Sequence, residues 1–228
     1  MILKIDSALT VRFPGLQALV YEVHGVHIQK RRSELEASKY EVIKNVRERY
    51  NLESLKDMPT FRFYRDFFWR IGVDPTKNRP AAEALIRRIL GGGSIPNINT
   101  LVDSYNLASI ETEIALAAFD SGKINGELLM RSSKIGEKFE GIGMDRPMTF
   151  QGGEVVVSDS EKLIAVYPYR DAEDTKVTES TVDIILMICG VPGIQNEMLL
   201  KAGKVAVEYL ARFCHETMRA RKRTLNLF

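Results

Sequence analysis

A small set of polar residues could carry chemistry in this chain. Asn99, Asp103 and Asn106 fall at i, i+4 and i+7, which places them on one stripe of a helix. Arg131 closes an apolar run, and Glu137 follows in Lys134-Ile135-Gly136-Glu137. Arg170-Asp171 and the hydroxyls of Thr178 and Thr181 frame the last long apolar run. Amides, hydroxyls and a guanidinium of this kind can hold a small zwitterion or position a water. Each residue also has a purely structural use, because Asn and Asp cap helices and tie loops to sheets.

Other chemistries find less support. The three histidines are His24, His27 and His215, and there is no Cys-x-x-Cys or His-Glu-x-x-His, so no metal is expected. His24 and His27 stand three apart in a predicted strand and so point to opposite faces. Cys214 and His215 are adjacent in a predicted helix and diverge by roughly 100°, too far apart for a nucleophile and its base. Gly91-Gly92-Gly93-Ser94 lacks the Gly-Lys-Ser/Thr of a phosphate loop and reads as a helix stop. No dinucleotide fingerprint follows a strand, and no cofactor is expected.

The elements that must position these residues are legible as a pattern. Residues 1–28 are predicted to be β structure, with a turn at Phe13-Pro14-Gly15. Ser33 and Glu36 have the spacing of a capping box ahead of a helix. A second helix carries Phe61, Tyr64, Phe67, Phe68 and Ile71, and a third opens with Pro80 at its first position and stops at Gly91. A fourth, over 98–110, carries the polar stripe. The chain then becomes strand-rich. Ala115–Phe119 and Glu127–Arg131 read as a bent hairpin, and 154–158 with 163–167 as a second one. Thr181–Cys189 is a strongly apolar strand, followed by a last helix from about Ile194. That helix is expected to run into the basic residues Arg219, Arg221, Lys222 and Arg223, which would suit its C-terminal dipole or contact RNA. Helices and strands are partly segregated, so the fold class expected is α+β, with mixed sheets flanked by helices.

The bulk figures agree with a folded protein: 45% apolar and 27% charged residues over 228, with a net charge of +2. So small a charge does not by itself demand a nucleic-acid partner. Two distant cysteines form no disulfide framework, no run approaches the roughly 20 apolar residues of a membrane helix, and no signal peptide is evident. A cytoplasmic protein is expected, without a membrane or DNA partner. The oligomeric state is not legible.

One stretch resembles a known family. Ile95-Pro96-Asn97-Ile98-Asn99-Thr100-Leu101-Val102-Asp103-Ser104-Tyr105-Asn106-Leu107 is similar to the start of the B3/4 domain of the phenylalanyl-tRNA synthetase beta subunit. In that family an Ala-Phe-Asp, an Arg-ending strand and a Gly-Glu follow in order. Here they are Ala118-Phe119-Asp120, Leu128-Leu129-Met130-Arg131 and Gly136-Glu137. A hairpin (Val155–Asp159, Leu163–Val166) and a Thr-led apolar strand (Thr181–Met187) continue the series, so the resemblance spans about 64–217. It implies a main domain over 61–228, with a strand-and-helix extension over 1–60 packed on it. It also implies a tRNA or aminoacyl-tRNA partner and an editing hydrolase that clears a mischarged aminoacyl-tRNA in trans, with no ligase activity. An RNA- or amino-acid-binding module without turnover is the second reading. Asn99, Asp103, Asn106, Arg131 and Glu137 are the pocket candidates, with Arg170 and Thr181 beside them. The sequence departs from the family at two positions: Ala117 stands where the family has a His, and Met187 where it has a Glu.

Overall fold

In the computed structural model, which describes residues 2–222, the chain runs β1 (Leu3–Ile5), α1 (Ser7–Arg12), β2 (Gln17–Val26), α2 (Ser33–Arg49), α3 (Pro59–Arg70), α4 (Ala81–Leu90) and α5 (Thr100–Thr112). It continues through β3 (Ala115–Asp120), β4 (Leu128–Ser132), β5 (Lys138–Phe139), β6 (Met148–Thr149), β7 (Val155–Ser158), β8 (Leu163–Val166) and β9 (Arg170–Asp171). It ends with β10 (Ile184–Gly190), α6 (Asn196–Phe213) and β11 (His215–Lys222). The class is α+β, as expected.

Two sheets organise the molecule. One has the order β1-β4-β7-β8-β9, the other β11-β2-β10-β3, and β5-β6 form a small ribbon. Every residue of β10 is buried, which is why it reads as an unbroken apolar run and not as an alternation. It lies antiparallel to β2 on one side and β3 on the other. Helix α6 packs on β2 and β10, and a Cβ at Gly203 would meet the Tyr21 hydroxyl at 2.5 Å and its ring at 2.6 Å, so a larger residue there would have to displace that side chain. Tyr167 joins the two sheets: its hydroxyl donates to the Gly190 carbonyl at 2.7 Å and lies 3.2 Å from the Gln17 carbonyl.

Residues 1–28 supply a strand to each sheet. β1 lies parallel to β4, and β2 sits between β10 and β11. Helix α2 then braces α5 at both ends. Near its start, buried Lys39 donates to Asp103 at 2.6 Å and to Glu36 at 2.9 Å, and it also meets the Asn97 side chain. At its end, Arg49 and Tyr50 donate to Glu113 at 2.8 and 2.9 Å. Glu113 closes α5 with a left-handed φ of 65°.

Several local expectations are corrected. The segments expected as a first hairpin are β3 and β4, and they lie in different sheets. The 3-10 turn over Ser121–Lys123 stands between them, and each finds other partners: β3 pairs with β10, and β4 with β1 and β7. The second hairpin, β7 with β8, is present with a register shift at Val157/Ser158. Ser33 is the first residue of α2 and caps nothing; its hydroxyl lies 3.2 Å from the Glu34 carboxylate. Pro80 occupies the N-cap of α4 and not its first helical position. The last helix stops at Phe213, and Arg219, Arg221 and Lys222 lie exposed on β11, paired along β2. They therefore do not sit at a helix C-terminus. Arg223 lies outside the described residues.

Candidate functional site

Helix α5 begins at a well-made cap. The Asn99 side chain accepts from the backbone N–H groups of Leu101 and Val102 at 3.1 and 2.9 Å, which satisfies two of the four free donors of the first turn. Asp103 follows, buried. It takes Lys39 on one oxygen and the Ile98 N–H, at 3.0 Å, on the other. Burial pushes the Asp103 carboxyl up, and the Lys39 ammonium opposes that shift. The three residues of the expected stripe therefore differ in role. Asn99 and Asp103 are consumed in holding the helix.

Asn106 is differently placed. It lines a cavity of about 190 Å³ at the junction of α5, β3, β8, β9 and β10. Tyr105, Ala117, Tyr167, Pro168, Asp171, Met187 and Cys189 are also in its wall, and the Tyr167-Pro168 peptide is cis. Ala117 and Met187, the two positions where the sequence departs from the resembled family, are opposite one another in the β3–β10 register. Both are apolar, so this wall offers no charge. The polar groups come from elsewhere. Among the described residues, the side chains of Tyr105, Asn106 and Asp171 take part in no hydrogen bond or ion pair, although all three line the cavity. Desolvation pushes the Asp171 carboxyl up to about 7, against the pull of the neighbouring Arg170 charge. Burial pushes the Tyr105 hydroxyl and the Cys189 thiol far up as well, so Cys189 stays a protonated thiol and not a nucleophile.

The remaining sequence candidates, Arg131, Glu137, Thr181 and Arg170, are not among the residues that line this cavity, although Arg170 adjoins it. Arg131 and Glu137 form a two-pronged ion pair, at 3.0 and 2.7 Å, in a separate polar depression walled by Ser158 to Leu163. The Arg131 hydrogen bonds hold Glu137 below the usual carboxylate range. Thr181 donates to Asp120 at 2.7 Å and accepts from the Thr178 N–H at 3.0 Å, a link that ties the start of the last strand segment to the end of β3. Arg170 donates to the Ile142 carbonyl at 2.9 Å, and its stem crosses Gly141 so closely that a Cβ there would meet Cγ at 2.6 Å. The structure thus brings Asn106 together with Asp171 and Tyr105. It does not bring Asn106 together with Arg131, Glu137 or Thr181.

Of the polar cavity residues, Asp171 stands in the sequence only as one of the groups framing the last apolar run and is not a pocket candidate there, and Tyr105 is not singled out for chemistry. Tyr105 falls on the apolar face of its helix pattern, and Asp171 stands in a two-residue strand too short for periodicity to speak. A signal existed in the alternation of Tyr167-Pro168-Tyr169-Arg170-Asp171, where aromatic rings surround an acid that follows a buried strand.

A mixed-sheet α+β domain with a half-enclosed cavity between its two sheets is the class that this geometry defines. The chain belongs to the B3/4 domain family, which matches residues 63–217. It is 33% identical over 115 residues to the phenylalanine–tRNA ligase beta subunit of Nocardia farcinica, covering 50% of this chain and 13% of that protein. It is 31% identical over 126 residues to the same subunit of Symbiobacterium thermophilum, covering 54% and 14%. The chain therefore spans about a seventh of the length of these curated relatives. In fold it is similar to an N-terminal fragment of the phenylalanyl-tRNA synthetase beta subunit from Pyrococcus horikoshii, with a TM-score of 0.53 at 14% identity over 99% of this chain and 51% of that one. Among the described residues no helix is long and apolar enough to cross a membrane.

Proposed function

We propose that this domain hydrolyses the ester of a mischarged aminoacyl-tRNA presented in trans, with the cavity beside Asn106 receiving the aminoacyl group. The observation that carries the reading is the position of the cavity. It lies wholly within the segment that matches the B3/4 family, and Asn106 presents to it a carboxamide that no protein group engages among the described residues. A carboxamide both donates and accepts, so it can hold an ester carbonyl and an attacking water in one orientation. In the reaction the water oxygen bonds to the carbonyl carbon and the bond to the ribose oxygen breaks. That oxygen takes up a proton, leaving the free amino acid and the uncharged tRNA. A cavity of about 190 Å³ is of the order that holds one ring-sized group, since an engineered cavity of about 150 Å³ takes benzene. The nucleotide would stay outside.

The apolar pair Ala117 and Met187 bears on which amino acid is cleared. A wall without a hydrogen-bonding partner discriminates poorly in favour of a hydroxyl, so selection for a phenolic side chain is not expected. The same pair favours a second reading, in which the domain binds an aminoacyl or amino-acid ligand without turning it over. Deacylation of a panel of mischarged tRNAs tests the proposal. Enzyme-dependent release of the amino acid from at least one pair is expected, and no turnover above buffer for every pair would leave only the binding module. A tRNA partner would show binding that weakens steeply with salt. Arg219, Arg221 and Lys222, exposed on β11, and Arg223 are the residues proposed for that contact.

A further inference from the structure

The cavity holds an acid that neither its fold nor its neighbours employ. Asp171 closes the short strand β9, where its backbone carbonyl accepts from the Ile142 N–H at 2.9 Å. Its carboxylate, by contrast, lines the cavity and forms no hydrogen bond or ion pair among the described residues. Asp171 is half-buried, so solvent in the cavity is its present partner. A ligand that fills the cavity displaces that solvent and must supply a partner in its place, and the surroundings indicate which kind. The facing groups are Tyr105 from α5, Cys189 from β10 and Tyr169 from its own loop, with Arg170 as the adjoining cation. Arg170 is already committed to the Ile142 carbonyl. The aromatic lining favours a cation over an anion, because ring faces are electron-rich.

We propose that Asp171 is the counter-ion for a primary ammonium, the α-amino group of the aminoacyl moiety, and that the cavity selects amine-bearing ligands whatever their side chain. This rests on the reading of the cavity as the aminoacyl site, but it does not require hydrolysis. An ammonium is the one charged group that every aminoacyl ester brings, so a carboxylate placed for it would anchor the common part of the substrate. Asn106, on the same wall, would then face the ester. Ammonium binding needs the ionised carboxylate. With the carboxyl pushed up to about 7, a ligand arriving at pH 6 must expel a proton from it, and affinity should rise with pH until the ligand's own amine loses its charge.

The test is calorimetric titration of the unaltered protein with a panel of amino-acid amides and their N-acetyl counterparts. At least one amide is expected to bind at low millimolar concentration, about tenfold or more tighter than its N-acetyl form. At pH 6, comparison of buffers of different ionisation enthalpy should show net proton release. Asp171→Asn should abolish both the preference and the release. If no amide binds, or if N-acetyl forms bind equally well, the proposal is overturned by the unaltered protein alone, without recourse to a variant. On a mischarged tRNA that is turned over, Asp171→Asn should raise KM more than it lowers kcat. A loss confined to kcat would instead make Asp171 a general base and overturn the ammonium role. Amine binding without hydrolysis would defeat only the hydrolase reading.

Discussion

Ala117 and Met187 are register partners on the antiparallel strands β3 and β10, and both line the cavity. Across such a pair the side chains lie within reach of one another, so each sets the environment of the other. Met187 is 1% exposed. Met187→Glu alone is therefore expected to destabilise the fold by about 2–4 kcal/mol at neutral pH, because it buries an unpaired carboxylate. Adding Ala117→His should recover part of that loss through a facing partner. Denaturant unfolding of the two single variants and the double variant measures the coupling. Strictly additive losses would show that the two positions do not meet across the cavity wall.

Asn106→Ala is expected to leave stability within about 0.5 kcal/mol, since the side chain holds no other part of the protein among the described residues. If the hydrolase reading is right, kcat/KM on a mischarged tRNA should fall about 10- to 100-fold. Parallel thermal melts and single-turnover assays separate the two effects. Equal losses in both would mark Asn106 as structural.

Asp171 gives a pH signature of stability with an unusual sign. Its folded carboxyl is pushed up to about 7, well above the ordinary value near 3.9 of an unfolded chain. The folded state therefore binds the proton more tightly, and this group's contribution falls as pH rises from about 4 through 7. Asp171→Asn removes the penalty. It is expected to stabilise the protein at pH 8 by on the order of 2 kcal/mol, with solvent in the cavity reducing the full effect, and to make little difference near pH 4. Melting temperatures of both proteins across that range check it. A variant less stable at pH 8 than the parent would contradict the desolvation account.

The Lys39–Asp103 pair should behave as a buried ion pair that is costly to halve. Lys39→Met alone leaves a buried carboxylate and is expected to cost about 3–5 kcal/mol. Lys39→Met with Asp103→Leu should cost less than the single change, because no charge is then left behind. Chemical denaturation of both variants distinguishes this from a packing role, in which the double change would be the worse.

Much of the fold could be read from apolar pattern. The run that became α3 recurs at helical period, β10 is marked as a strand by its shortness and its β-branched content and not by period, and the β7–β8 hairpin carried its own turn residues. What failed was information beyond one element. Ala115–Phe119 and Leu128–Arg131 look like neighbours because they are close in sequence. β3 pairs with β10, well downstream, and β4 pairs with β1 at the start of the chain, so neither placement can be read from the two segments themselves. The site failed in the same way. Asn99, Asp103 and Asn106 share a helical stripe, but whether each is free depends on Lys39 and on the helix cap. Only Asn106 faces the cavity. Asp171 belongs with it because β9 returns to the cavity wall, and the aromatic residues before Asp171 mark the acid without telling which helix it meets.

The placement of β2 has a consequence for dissection of this protein. The family match begins at residue 63, which invites the notion of an excisable domain. Yet β2 lies between β10 and β11 and bonds to both. A fragment starting at residue 63 would leave one whole side of β10 with bare N–H and C=O groups along an apolar strand. Such an edge is a template for another chain. β2 therefore occupies in advance the seat that a second molecule would otherwise take, and a fragment lacking it is expected to self-associate even though none of its side chains lines the cavity.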